Sequence, residues 1–250
     1  MELAAPRTDD VVLDIGSGTG LLALAFADQS ASVWAVDSSP AMGEYLRVKA
    51  ASAGIVNVTT VLASAVSLPL VDASVDVVVS NYCMHELRDA DKRRALEEMI
   101  RVLKPGGRLV IGDMMFSLNP LRERDRAVVR GKVRALAARG LPGVWRLAKN
   151  AARLLSGRWE SPAAPDWWRD ALSQTGFVGV EVELRSHEGG VASARAPSTQ
   201  VHGSALIDAT PATVPSPISR ARAASLCFRY PSRKALVTRS TIPSWGCLPE

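Results

Sequence analysis

Between Val11 and Val110, short β-branched runs alternate with segments of helical spacing. "VVLDI", "SVWAVD", "NVTTVLA", "VDVVVSN" and "GRLVIGDM" read as strands, and "LLALAFADQ", "AMGEYLRVKAASAG" and "DKRRALEEMIRVL" as helices. Strands apolar on both faces and interleaved with helices predict a parallel sheet covered on two sides. The clearest helix runs from about Asp91 to Leu103. There Leu96, Met99, Ile100 and Leu103 recur at i, i+3, i+4 and i+7, with the charges assigned to the other face. Pro105-Gly106-Gly107 is expected to stop it before the next strand begins.

After Asp113 the spacing becomes that of a long, Arg-rich helical region, broken at Gly140-Leu141-Pro142-Gly143. Its second half, from about Val144 to Leu155, gathers Trp145, Leu147, Ala148, Ala151, Leu154 and Leu155 on one face. Arg146, Lys149 and Arg153 fall on the opposite stripe. Three readings stand: a helix docked on the sheet or over a pocket with its cations in water, peripheral contact with a membrane or anionic partner, and nucleic-acid binding. "DWWRDALSQTGF" predicts one more helix, and "VGVEVELRS" with "GGVASARA" an antiparallel hairpin around His187 to Gly190. From Pro197 onward neither period survives, and Ser, Thr, Pro and Ala dominate, so residues 197–250 are expected to be an irregular, disordered tail.

With 250 residues, 47% of them apolar, the chain suits one large domain with appendages. It holds no uncharged apolar run of about 18 residues, and "MELAAPRTDD" lacks the basic and apolar segments of a secretory leader. A cytoplasmic location is expected. Cys83, Cys227 and Cys247 show no paired spacing, which points to buried or idle thiols rather than a disulfide framework or a zinc knuckle. Charge changes the picture more. The formal total is +5, yet Leu121 to Arg158 carries +9 and Pro197 to Glu250 carries +4, which leaves −8 for the rest. Only the basic arm would be drawn to an anionic surface.

"VLDIGSGTG" places Gly16, Gly18 and Gly20 between a strand and a helix start, where backbone N–H groups meet a polar or anionic ligand. The dinucleotide fingerprint would require glycine at position 21, which is Leu21, so G-x-G-x-G argues against a pyrophosphate cofactor. Asp37 ends the second strand, where a carboxylate can accept from both hydroxyls of a ribose. Asp14, inside the first strand, is costly to bury without a partner and is expected to orient the loop or a ligand amine.

These residues resemble class I S-adenosylmethionine (SAM)-dependent methyltransferases, especially the ubiquinone/menaquinone-type C-methyltransferases and their small-molecule relatives. The resemblance covers about Leu3 to Pro197 through five ordered segments: "VVLDIGSGTG", "VWAVDSSPAM", "LASAVSLPL", "VDVVVSNYCMHEL" and "RVLKPGGRLVIGDM". It implies a Rossmann-like α/β domain over residues 1–196, with a mostly parallel sheet of the seven-stranded type and a helical insertion at about 117–160. The implied cofactor is SAM. Gly16, Ser17, Gly18 and Gly20 would wrap its methionine part, with Asp14 beneath, and Asp37 would hold the ribose. Ser38 and Met42 would flank the adenosine, Ser64 and Ala65 would lie beside the adenine, and Asn81 under the sulfonium. Ser64 stands where relatives commonly carry an aspartate, so a weaker, neutral acceptor meets the adenine amino group.

Methyl transfer needs a general base only when the nucleophile must lose a proton. His85 could take that proton or serve as a buried partner of the loop; Tyr82 lines the channel or packs; Asp113 orients a hydroxyl or caps the next helix. The family often shows two adjacent histidines where this chain has His85-Glu86. His187 and His202 have no second ligand at workable spacing, so no metal is expected. The segment before the first strand is short beside similar enzymes, which predicts a more open site, and the tail reads as an unrelated extension or frame change. A small-molecule acceptor leads. The rivals are RNA or a membrane-associated lipid or quinone acceptor, suggested by the basic arm, and a SAM-binding protein without turnover. "SNYCMHEL" lacks an Asn-Pro-Pro-Tyr-like run, which disfavours methylation of base amino groups.

Overall fold

The computed structural model describes residues 3–117, 121–155, 161–185 and 188–198. His187, His202 and the expected tail from residue 199 onward fall outside them. Seven strands, β1 (Val11–Ile15), β2 (Ser32–Asp37), β3 (Val58–Leu62), β4 (Val75–Asn81), β5 (Leu103–Met114), β6 (Val178–Leu184) and β7 (Gly189–Arg195), form one sheet in the order β3-β2-β1-β4-β5-β7-β6. β1 to β5 pair in parallel and β7 runs antiparallel between β5 and β6, so the two halves of the predicted hairpin pair as expected.

Helices α1 (Leu21–Ala27) and α2 (Pro40–Ser52) cover one face, packing Phe26 and Leu46 on Val12, Val33, Ala35, Val77 and Val79. The other face, with Leu13, Ile15, Val78, Leu109 and Ile111, buries Leu96 and Met99 of α3 (Asp89–Val102) and Trp168 and Leu172 of α6 (Pro165–Thr175). Each such fully buried side chain contributes about 1.5–3 kcal/mol, so the two-sided strand pattern fixes the layers. Between β5 and α6 lie α4 (Glu123–Ala137) and α5 (Leu141–Leu155). Among the described residues, no helix is long and apolar enough to cross a membrane.

Three local expectations are corrected. Pro105-Gly106-Gly107 lies inside β5, not before it: Val75 pairs with Leu103 and Val77 with Arg108, so the tripeptide bulges out of a strand that has already begun. α5 starts at Leu141, ahead of the expected Val144, because the fixed φ of Pro142 suits a first helical turn. Gly140, at φ +68°, makes the reversal, and Gly143 brings α5 against α4, where an added Cβ would stand 1.7 Å from the Leu136 carbonyl oxygen.

The third correction is Lys92. It lies four residues before Leu96, on the apolar side of α3, and is fully buried. Its Nζ donates to the carbonyls of Leu87 and Ser161 at 2.8 and 2.6 Å and to Asp89 Oδ1 at 3.0 Å, and stands 5.6 Å from the Trp167 ring centre. Burial lowers its pKa, against the pull of Asp89. Lys92 thus clamps the point where the chain returns from α5 to the core. Lys92→Met keeps the volume but strands two buried carbonyls, at about 1–3 kcal/mol each. The melting temperature measured by calorimetry should fall by roughly 5–15 °C.

Candidate active site at the carboxyl edge of the sheet

β1 and β4 are neighbours, with Ile15 opposite Ser80, yet α1 leaves β1 toward one face and α3 follows β4 on the other. Diverging connections open a crevice at the carboxyl ends of the strands, the usual ligand position in such sheets. The glycine turn fills its lip. Gly16 and Ser17 donate their N–H groups to the Val36 carbonyl at 2.8 and 3.0 Å, and Gly20 donates to Ser17. Gly16, Gly18 and Gly20 have φ of +72°, +50° and +82°. A Cβ on Gly16 would stand 2.3 Å from Cys83 Sγ and one on Gly20 2.2 Å from Leu46 Cδ1, whereas at Gly18 the nearest atom is 4.0 Å away. The outer glycines therefore serve packing, and Gly18 leaves open main chain for a ligand to approach.

Asp37 ties this turn to the second strand. Its Oδ2 accepts the Gly18 N–H and its Oδ1 the Ser39 N–H, both at 2.8 Å. A carboxylate has about four acceptor positions, so capacity for a vicinal diol is left over. Asp14 does something else. It is buried, and its Oδ2 accepts the Ala23 N–H at 3.0 Å. Ala23 is the third residue of α1, whose N-cap, Gly20, has no side chain to offer. Asp14 supplies the missing cap from the strand. Burial first, and then the nearby Asp37 charge, push its carboxyl up to about 7, against the Ala23 hydrogen bond.

On the β4 side, Asn81 ends the strand and its Oδ1 would lie 2.8 Å from a Cβ on Gly112. Tyr82 follows at φ +51°, a conformation that costs a residue with a side chain about 1 kcal/mol or more. Its N–H is held by the Gly112 carbonyl at 2.8 Å. That turn tucks Cys83 under Gly16 and leaves the Tyr82 ring half-exposed, edge-on to His85 with centroids 6.2 Å apart. Burial pushes the Cys83 thiol up to about 12, helped by Glu86 and Asp113, so it packs and does not ionise.

His85 lies buried in a single helical turn, Met84–Glu86. Asp113, itself buried, holds it twice: Oδ2 accepts the His85 N–H at 2.7 Å and Oδ1 meets Nδ1 at 2.6 Å. Asp113 also accepts the Met114 N–H at 2.7 Å, and α4 starts only at Glu123, so it does not cap that helix. A carboxylate on Nδ1 fixes the tautomer in which Nε2 bears the ring's basic lone pair. The His85 carbonyl accepts the Ser161 N–H at 2.7 Å, which roots the returning arm beside the pair.

Ser38, Met42, Ser64 and Ala65 stand on the β2–β3 side: Ser38 and Ser64 are exposed, Met42 and Ala65 half-buried, and the Asp37 carbonyl accepts the Ala63 N–H at 3.1 Å. Arg101 of α3 positions this loop, donating to the Leu68 and Leu70 carbonyls and to Glu98 and Asp72. Sequence reasoning gave no role to Arg101 or Lys92, because each acts through a fold-dependent contact, whereas Cys83, read there as a buried or idle thiol, packs under Gly16. A cavity of about 430 Å³, lined by Leu22, Phe26, Val79 and Val110, reaches Asn81 and Gly112 from the α1 face. Among the described residues no three His, Cys, Asp or Glu side chains gather as a metal site would.

A positive-φ glycine turn with open main chain, a strand-end carboxylate with spare acceptor capacity and an apolar cavity alongside fit an adenosyl ligand. The fold is that of solved methyltransferase structures. Residues 12–107 match the family model described as a methyltransferase domain. Over that span the chain is similar to methyltransferase domains. It is 36% identical over 121 residues to the uncharacterized methyltransferase YcgJ of Bacillus subtilis, a match covering 48% of this chain and 47% of that protein. It is 38% identical over 120 residues to a demethylmenaquinone methyltransferase of Clavibacter sepedonicus, covering 48% and 47%. The crystal structure of YcgJ superposes with a TM-score of 0.58 at 20% identity, over 78% of this chain and 95% of that one. The chain thus aligns with about half the length of the curated relatives it matches.

The elevated Asp14 carboxyl has a measurable sign. Below its ordinary value of 3.8 it is protonated whether folded or not, and above it the unfolded chain ionises first, so its contribution to stability falls as pH rises to about 7 and is level beyond. Asp14→Asn keeps an acceptor for Ala23 without the charge. Urea titrations should show the variant gaining on wild type by a few kcal/mol between pH 4 and pH 7; parallel curves would place the burial cost elsewhere.

Proposed function

We propose that this protein transfers a methyl group from SAM to a small, largely apolar acceptor whose nucleophilic atom is activated by loss of a proton, as in a phenol, enol or quinol. The observation that carries this reading is the meeting, at one sheet edge, of the Asp37-tethered glycine turn with the buried His85–Asp113 pair. When bound, SAM supplies an electrophilic methyl on a sulfonium, a good leaving group. Asp37 accepts from the ribose hydroxyls, and the turn through Gly16, Ser17 and Gly18 backs the amino-acid end. Ser38 and Met42 flank the adenosine, with Ser64 and Ala65 at its base and Asn81 beside the sulfonium.

His85 Nε2 removes the acceptor's proton, while Asp113 positions the ring and stabilises the imidazolium that forms. Tyr82, half-exposed and edge-on to that ring, lines the entry. The demethylmenaquinone methyltransferase among the relatives supports an aromatic acceptor, and the apolar cavity beside Asn81 supports a hydrophobic one. Carbon and oxygen acceptors both satisfy this geometry.

The test is calorimetric binding of SAM, followed by transfer from methyl-labelled SAM to demethylmenaquinone analogues, hydroxylated aromatics and a metabolite extract. SAM should bind, and label should enter an apolar product. His85→Gln and Asp113→Asn should each lower transfer by about 10²–10⁴-fold with SAM affinity nearly unchanged. Binding without transfer to any acceptor would make this a SAM-binding protein instead. Ser64→Asp restores a charged acceptor for the adenine amino group, which is worth roughly a tenfold gain in SAM affinity; equal affinity would remove Ser64 from the site.

A further inference from the structure

We infer that the arm formed by α4 and α5 is a docking surface for an anionic lipid bilayer. α5 turns Leu141, Val144 and Trp145, at i, i+3 and i+4, to solvent at 86%, 53% and 69% exposure. Three large apolar side chains together on one exposed helical face are a contact surface and not scattered surface residues.

The charges on the same arm select the partner. Arg122 pairs with Asp166, Lys132 with Glu188, and Arg124 donates to the Met115 and Gly189 carbonyls, so these three fasten the arm to the body. Arg126, Arg130, Arg134, Arg139, Arg146 and Lys149 are exposed, and among the described residues no carboxylate pairs with them. Arg126, Arg130 and Arg134 follow one another at i, i+4 and i+8 on α4, a like-charge stripe that weakens the helix by itself. An anionic surface relieves it. A second copy would bring cations against cations, and a nucleic acid would leave Leu141 and Val144 without an apolar partner. A bilayer of anionic lipids satisfies both groups, with the apolar residues at the acyl boundary and the cations at the headgroups.

The arm is built to hold this face in place. Gly143 seats α5 on the Leu136 carbonyl of α4, and Ser117 caps the buried Asp125. At the far end Lys92 and the His85 carbonyl grip Ser161. Docking would hold at the membrane surface an arm that is rooted beside His85 through Ser161. The docking itself does not depend on methyl transfer and is tested without it.

The test is co-sedimentation of the full chain with vesicles of phosphatidylcholine alone and of phosphatidylcholine with phosphatidylglycerol, at low and high salt. The protein should sediment with the anionic vesicles only, and high salt should release much of it. Arg146→Gln with Lys149→Gln should lower the partition about 25-fold, at roughly fivefold per cation. Leu141→Glu with Trp145→Glu should abolish it, with thermal melts and SAM binding confirming that both variants fold. Absence of binding to anionic vesicles, equal binding to neutral ones, or binding unchanged in both variants would overturn the proposal. So would tighter, salt-sensitive binding to single-stranded RNA, or self-association lost on the same substitutions.

Discussion

The pair of hydrogen bonds from the Gly18 and Ser39 amides to the Asp37 carboxylate is the contact on which the candidate site depends. It joins the ends of β1 and β2 at the only place where the glycine turn is open to a ligand. Three alternating positive-φ glycines would otherwise make a costly loop to order. With the turn held, α1 starts in a fixed direction, Gly16 closes on Cys83, and Cys83 in turn holds the β4 loop that carries Tyr82 and His85.

Much of what surrounds this contact is polar chemistry used to fix backbone. Asp14 caps α1 in place of the absent N-cap side chain, Asp113 fixes both the main chain and the ring of His85, and Lys92 closes the chain behind the arm. Each is a buried ionisable group whose desolvation is opposed by hydrogen bonds to main chain, and at Asp14 and Lys92 burial still prevails. Their arrangement divides the labour: rigid groups beneath the crevice, and an exposed, cationic arm rooted at its edge.

The sheet, its two faces and the crevice were legible because they rest on strong local signals. β-branched runs buried on both sides mark β1 and β4, and the glycine turn and Asp37 sit where strand ends must place them. The antiparallel β7 was legible from its hairpin with β6. What was not legible depends on neighbours distant in sequence. Lys92 reads as a solvated charge until Leu87 and Ser161 are seen around it, and Asp113 offers no hint of His85, 28 positions away. Pro105-Gly106-Gly107 reads as a stop, and only pairing with β4 makes it a bulge. The spacing of α5 showed an apolar stripe, yet whether Trp145 of that stripe was buried or open was a tertiary question: Gly143 packs on α4 and Trp145 turns outward.

The claim that Asp37 both orders the turn and receives a ribose is tested most directly by a thermodynamic cycle. S-adenosylhomocysteine and its 2′,3′-dideoxy analogue would be titrated calorimetrically into the wild type and into Asp37→Ala. If the carboxylate holds the diol, the dideoxy compound binds the wild type at least about tenfold more weakly, a coupling of roughly 1.4 kcal/mol, and the two ligands bind Asp37→Ala alike. An equal penalty for the missing hydroxyls in both proteins would contradict it and assign the ribose to another residue.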